Sequence, residues 1–521
     1  MKKYVLLLAM VICLGANTNT GIQSGREFQI KRHNINQVEM CISNYGKFGQ
    51  DETDNAGCWW PIGTDYNYIY GAGIWFGTID AGDTLVTIGY GPSGGQSEGT
   101  PGLKDMPINH PNAIIYMYPD PWPAPQDTFP MAPQDTVSHQ DSWCCYNDCD
   151  SAYHMPGDTR PIEIEVYQTV YAWDISEIEN IVFFTYEVKN VSGNNLQDCY
   201  FGICTDCDIG NEAGMGNDIC TVIIEHTYII DNDTIIVDDV AYQWQYEEEP
   251  GWDSFPGVIG FDLLQTPFDL VAGADKDGDG IPDQFERDSA YYVNNLPPKM
   301  WDADEDGVPD WRDPSQWPQI GMTAFKIFSL DFEPGIDPER YMILAGYNYQ
   351  TGVYEPYDTI IPDPDDQRFL MASGPLDIEP DSSVTLVFAV LLADWHNIYQ
   401  TPDSALALVD KWAQLYYDMY WFLYTGIQEN TCIERPNTEL TILPNPISRC
   451  AKISFSLSTS SMVSLKLYNT AGQLVRKIMK EQMPPGNHNI NLNTKGLSQG
   501  TYFLLLETPH SKTSKSLVIL H

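Results

Sequence analysis

Ala451-Lys452-Ile453-Ser454-Phe455-Ser456-Leu457 is followed by Met462-Val463-Ser464-Leu465-Lys466-Leu467, and both runs place an apolar residue at every second position. A period of two marks a strand with one face buried and the other in water. The alternation returns in Ile490 and Leu492, and again in Tyr502, Leu504 and Leu506. Ala471-Gly472, Pro485-Gly486 and Gln499-Gly500 separate the runs as turns. Residues 441–521 therefore read as a small, self-contained Ig-like β-sandwich.

Four motifs in and beside those strands carry a resemblance. Pro444-Asn445-Pro446, Leu467-Tyr468-Asn469-Thr470-Ala471-Gly472, Pro485-Gly486-Asn487-His488 and Gly500-Thr501-Tyr502-Phe503 together resemble the C-terminal sorting domain, type A-like, of proteins exported by the type IX secretion system. The resemblance implies a sorting motif at Pro444, Asn445, Pro446, Gly472, Gly486, Gly500 and Tyr502. It also implies the type IX machinery as partner, and a destination on or outside a Gram-negative cell. The N-terminus agrees: Lys2-Lys3 is a basic start, Tyr4 to Leu14 an apolar run, and Asn17 opens a polar stretch. A signal peptide is expected over residues 1–16. No later stretch approaches the ~18–20 apolar residues that span a bilayer, so no transmembrane segment is expected in the mature chain.

The chain has 521 residues and a formal net charge of −45, room for two or three domains. From Glu439 onward nine Lys and Arg face three acidic residues, so the excess acid lies in the body, residues 17–427. A polar linker, 428–440, joins it to the tail. Such a field repels nucleic acid and anionic lipid, attracts divalent cations and keeps the protein soluble. Cysteine usage suits an oxidising compartment. Cys13 leaves with the signal, and an odd number remains, so at least one is expected outside the intrachain pairs. Cys41 with Cys58 and Cys432 with Cys450 are candidate pairs by proximity, which sequence does not establish, and the cluster Cys199 to Cys220 is expected to form disulfides. Its Cys204-Thr205-Asp206-Cys207 has the spacing of zinc or redox sites, but no redox-type βαβ pattern surrounds it.

Along the body, strands are expected at Tyr68–Ile88 (a hairpin turning at Ala81-Gly82-Asp83), Ile162–Val170, Ile181–Val188, Leu196–Ile203, Cys220–Ile230, Ile235–Gln245, Thr323–Leu330, Tyr341–Leu344 and Ser383–Leu392. The Pro-rich residues 111–133 read as a rigid surface loop. A helix is expected over 403–423, from Leu408, Val409, Trp412, Leu415, Tyr416 and Met419 at three- and four-residue spacing, with start signals at Thr401-Pro402-Asp403-Ser404. The fold class is mainly β: a multi-stranded β-sandwich body with one C-terminal helix, then the small sorting sandwich. Asn44-Tyr45-Gly46-Lys47-Phe48-Gly49, Tyr70-Gly71-Ala72-Gly73-Ile74-Trp75, Tyr200-Phe201-Gly202-Ile203 with Asp206-Cys207-Asp208-Ile209-Gly210, and Arg368-Phe369-Leu370-Met371-Ala372-Ser373-Gly374-Pro375 are similar to uncharacterised surface proteins that carry the same tail. That resemblance implies no activity.

The sharpest chemical signal lies in an acidic insert, 272–316, where one loop pattern occurs twice. Asp275, Asp277, Asp279, Asp283 and Glu286 stand at positions 1, 3, 5, 9 and 12, as do Asp302, Asp304, Asp306, Asp310 and Asp313, each set with glycine at position 6. Calcium takes six to eight hard oxygen ligands, which closely spaced carboxylates on a tight loop supply. Ile281 and Val308 follow the glycines and offer backbone carbonyls. Pro282, Pro309 and Pro297-Pro298 argue against EF-hand helices. The loops resemble thrombospondin type 3 repeats, which implies calcium as the cofactor. The bland reading of each is a solvated acidic turn. Asp206, Asp208 and Asp218, with Asn217, form a looser third cation site on a Gly-rich loop, which Asx turns explain equally well.

Catalytic patterns are nearly absent. Gly91-Pro92-Ser93-Gly94-Gly95 fits G-x-S-x-G but is followed by no helix, and the histidines show no paired spacing. The chain is read as non-enzymatic. A rival class is glycan binding, through Trp59, Trp60, Tyr66, Tyr68, Tyr70, Trp75 and above all Trp122; a secreted hydrolase is the weaker rival. The expectation is a secreted, calcium-stabilised structural or adhesive surface protein, with surface polysaccharide or other surface proteins as further partners.

Overall fold

The computed structural model describes residues 28–91, 96–107, 110–155, 158–210, 215–230, 233–245, 247–249, 251–252, 255–267, 319–329, 332–396, 401–417, 441–443, 450–457, 461–469, 474–498, 500–508 and 511–519. The signal peptide, the insert 272–316 and the linker 428–440 lie outside the described residues.

Two antiparallel sheets form the body. One of ten strands runs, edge to edge, Ala324–Ser329, Gln367–Ile378, Leu196–Asp206, Gly71–Asp80, Lys47–Phe48, Glu39–Ser43, Cys58–Trp59 and Asn67–Ile69, with two more pairing off this path. The other, of nine, runs Ile219–Ile230, Asp233–Trp244, Val258–Gln265, Ser383–Ala393, Ile181–Asn190, Ile164–Ala172, Gln140–Asn147 and Thr100–Pro101, with one more off the path. Their inner faces share one core, in which Phe48, Phe76, Phe201 and Phe369 meet Phe184, Phe261 and Phe388. Phe184 and Phe388 are register partners whose rings stack at 4.9 Å. The hairpin Gly71–Asp80 to Asp83–Ile88 turns on Ala81 and Gly82, both with positive φ, which suits the twist of a two-residue turn.

Both outer faces are covered as well. Strand Ile181–Asn190 sends Val182, Phe184, Tyr186 and Val188 inward, while Ile181 and Phe183 join Trp173, Val387, Ala389 and Leu391 outside. Helix Pro402–Tyr416 closes that outer cluster with Ala405, Leu406, Ala413 and Tyr416. On the other sheet, Trp75, Cys204, Ala324 and Leu370 are closed by Ile343 and Leu344 of helix Asp337–Leu344. A Cβ on Gly202 would meet Leu344 Cδ2 at 2.6 Å, so the helix sits on a glycine patch. The layers are helix, sheet, sheet, helix, which hides strand periodicity because both faces are apolar.

Three expectations change. Tyr341–Leu344 is helical, not a strand; Pro338 in the first turn with Asp337 and Glu339 sets a helix start that four apolar residues alone do not reveal. Residues 111–133 are more than surface: Tyr116, Ala124, Phe129 and Ala132 pack with Trp143, Cys145 and Tyr167 in a core of their own. The nine cysteines described in the body stand as free thiols, so the disulfides expected for Cys41 with Cys58 and within Cys199–Cys220 are not shown. The reason is direction along strands: Cys204 joins the outer core with Trp75, whereas Cys207 joins the inner core. The pair Cys432–Cys450 lies outside the described residues.

The tail is a second sandwich. Thr441–Leu443, Cys450–Leu457 and Gly486–Asn493 form one sheet; Leu474–Met483, Ser461–Asn469, Gly500–Thr508 and Ser511–Ile519 form the other. Ile453, Phe455, Leu457, Val463, Leu465, Leu467, Leu492, Tyr502, Leu504 and Leu506 fill its core, as their alternation requires.

Candidate metal centre

Asp206 ends strand Leu196–Asp206, opposite Arg368 on one neighbouring strand and Gly71 on the other. A Cβ at residue 71 would meet Tyr90 Cε2 at 2.2 Å. Glycine there lets the Tyr90 ring lie across the strand and donate its hydroxyl to Asp206 Oδ2 at 2.7 Å. Arg368 spreads its guanidinium over three carboxylates: Nη2 is 3.1 Å from Asp206 Oδ2, Nε 3.2 Å from Glu333 and Nη1 3.2 Å from Asp366. Asp208 follows two residues after Asp206, and its backbone carbonyl accepts a hydrogen bond from Asn67 Nδ2 at 2.8 Å. One oxygen from each of Asp206, Asp208 and Asp366 lies within 4.8 Å of the others.

Four carboxylates thus surround one guanidinium in a largely dry setting. Burial, reinforced by the charge of Asp206, pushes the Asp208 carboxyl up to about 8. Burial raises Asp206 to about 6 against the pull of Arg368 and Tyr90. Such a cluster favours whatever supplies positive charge.

Asp218, expected as a ligand, stands outside the three. Its Oδ2 accepts hydrogen bonds from Ile209 N at 3.1 Å and Gln243 Nε2 at 2.9 Å, and its carbonyl accepts from Asp365 N at 3.1 Å. It braces the two loops from behind. Asp366 takes its place in the cluster; neither it nor Glu333 is a site residue in the sequence reading, and Arg368 enters there only as the start of a shared motif. The signal was present in Asp363-Pro364-Asp365-Asp366, an acidic turn leading into a strand. Asp275, Asp277, Asp279, Ile281, Asp283, Glu286, Asp302, Asp304, Asp306, Val308, Asp310 and Asp313 lie outside the described residues.

Of the sorting motif, Pro444, Asn445, Pro446 and Gly472 also lie outside them. Gly486 opens a strand with φ of 124°, Gly500 starts the strand Gly500–Thr508, and buried Tyr502 donates its hydroxyl to Ser498 O at 2.9 Å.

The side chains of two histidine pairs among the described residues are buried in the fold. His33 Nε2 lies 2.7 Å from Ser142 Oγ, but both residues are buried in the fold. His154 pairs with Glu98 at 2.9 Å, and Glu98 also accepts hydrogen bonds from the backbone of Ile88 and Met155, a strap rather than a cleft. Residues 92–95 of the G-x-S-x-G stretch lie outside the described residues. Among the aromatics proposed for sugar binding, Trp60, Tyr68 and Trp75 are core, Tyr66 stacks on Trp252 at 4.2 Å, and Trp122 is half-buried against the small outer core. Exposed aromatics stand elsewhere: Phe332 and Tyr347 line a groove of about 350 Å³ with Asn348, Gln350 and Asp363.

Residues 441–520 match the family described as secretion system C-terminal sorting domain. No curated protein matches the chain significantly. Among solved structures, a polysaccharide lyase aligns at 7% identity with a TM-score of 0.21, over 95% of this chain and 46% of the lyase. The dimeric latent PorU of Porphyromonas gingivalis aligns at 9% identity with a TM-score of 0.15, over 73% of this chain and 31% of PorU. At those scores neither likeness carries an argument, and the chain spans less than half of either protein. The weight rests on the tail: this is a protein with a type IX secretion sorting domain at its C-terminus, exported by a Gram-negative bacterium to the cell surface or beyond it.

Proposed function

We propose that the protein is a structural or adhesive component of the cell exterior, non-enzymatic, with a body braced by calcium. The observation that carries this reading is the sorting domain over residues 441–520, because it fixes the compartment in which the acidic body works. Outside the cell, a body that holds the whole acidic excess of a chain of net charge −45 meets free divalent cations. The duplicated loops from Asp275 and Asp302 supply the ligand pattern that converts this attraction into bound ions. A broad double sandwich with deep cores is a scaffold for presenting surfaces, and its histidine–serine pair is buried.

Calorimetric titration of calcium into the EDTA-stripped chain, beside the Asp277→Ala/Asp304→Ala variant, tests the bracing. The two loops are expected to bind one ion each, and the variant to lose both. Only a diffuse, unsaturable heat from the parent would remove calcium bracing by the loops and leave the compartment alone standing.

A further inference from the structure

We propose that Asp206, Asp208 and Asp366 hold one further calcium ion, where the loop after strand Leu196–Asp206 meets the loop before strand Gln367–Ile378. The site extends the bracing proposed above to the sandwich itself. It rests on that reading only for the supply of calcium, not for the insert loops.

The argument begins with unmet hydrogen bonds. Asp208 is 7% exposed, and its carboxylate accepts no hydrogen bond among the described residues. Asp206, 1% exposed, has Oδ1 equally without a donor. A buried carboxylate oxygen with no donor is costly, and a cation bound between the two aspartates would offset that cost for both. Arg368 leaves these oxygens unmet: Nη2 lies 3.1 Å from Asp206 Oδ2 and Nη1 donates to Asp366 Oδ1, while Nε stands 3.2 Å from Glu333 without a hydrogen bond. Geometry then selects the ligand. Oxygens within 4.8 Å of one another fit one calcium shell, whose opposite ligands stand about 4.6–5.2 Å apart. The donor set is all carboxylate oxygen, the preference of a hard cation. The Asp366 side chain is 24% exposed and gives the ion a way in from solvent. Asp218 holds both loops in place through Ile209, Gln243 and Asp365, so the cradle is built before the ion arrives.

The test is calcium titration of the full chain carrying Asp277→Ala and Asp304→Ala, which silences the insert. One saturable ion is expected to remain, and to disappear on adding Asp208→Asn or, independently, Asp366→Asn. Circular dichroism checks the fold of each variant, and the partly exposed Asp366 provides the milder substitution. No saturable ion in a folded insert-silenced chain would overturn the site while leaving the insert loops as calcium binders. An ion indifferent to both Asp208→Asn and Asp366→Asn would overturn it too. A parent and an insert-silenced chain that bind the same single ion, lost with Asp208→Asn, would support this site and remove the loops.

Discussion

The hydroxyl of Tyr90 reaches Asp206 across a position that has no room for a side chain. Gly71→Ala would drive a methyl into the Tyr90 ring, 2.2 Å from Cε2, between two strands that leave little slack. Overpacking of this kind costs about 1–3 kcal/mol, to which the lost Tyr90–Asp206 hydrogen bond adds. Gly216→Ala is the control, with nothing within 4 Å of its new methyl, and its effect should stay within about 0.5 kcal/mol. Urea unfolding of the two variants measures the difference; equal midpoints would show that the ring moves aside freely. At this scale the sequence was half legible. Asp206 and Asp208 were visible as neighbours at a spacing of two, whereas Arg368 comes from a distant strand whose register no local pattern reveals, and Asp366 from the loop before it. Asp218 lies on the same stretch of chain yet turns to Gln243, because a loop can direct its carboxylates either way.

Helix Pro402–Tyr416 shows the same limit at the scale of an element. Its existence followed from apolar residues at helical spacing and a proline in the first turn. Its buried stripe did not, because that stripe runs through Ala405, Leu406, Ala413 and Tyr416 and contains Asp410, while Leu408, Val409 and Trp412 are only partly covered. A buried aspartate reads as a solvent position in any hydrophobic pattern. Asp410 faces Asp262 of strand Val258–Gln265, both fully buried, and Gln414 donates to Asp262 Oδ2 at 3.2 Å. Two carboxyls so placed keep a proton between them. Burial lifts Asp410 to about 7; burial and then the charge of Asp410 lift Asp262 well above the ordinary range, with Asp238 and Asp239 adding to it. A carboxyl raised in the folded state binds its proton more tightly than the unfolded chain, whose aspartates titrate at about 4. Its contribution to stability is therefore full below about 4 and declines as pH rises towards about 7. Asp410→Asn removes the shared proton. The variant should gain on the parent by a few kcal/mol between acid and neutral pH in denaturant titrations. Parallel pH profiles for the two proteins would show that the pair is not protonated in the fold.

For the whole molecule, the alternation around Phe455 and Leu465 gave the tail its sandwich, because a thin two-sheet module buries one face of each strand. The body was legible as β but not as four layers. Strand Ile181–Asn190 is apolar on both faces only in its first half, where Ile181 and Phe183 face outward before Thr185, Glu187 and Lys189, and the helices that cover such faces announce themselves only weakly. The cores also separate by position. The described cores of the body contain no residue beyond Tyr417, and that of the tail none before Ala451. Units with separate cores unfold separately. Removing residues 441–521 should therefore leave the thermal midpoint of the body where it was, while the truncated chain accumulates inside the outer membrane instead of reaching the surface. Calorimetry on the purified body and fractionation of cells producing it read the two halves of this prediction. A lowered midpoint would mean that the tail supplies packing to the body. A truncated chain found at the surface would mean that the address is written elsewhere in the sequence, and the role assigned to residues 441–520 in this protein would fall with it.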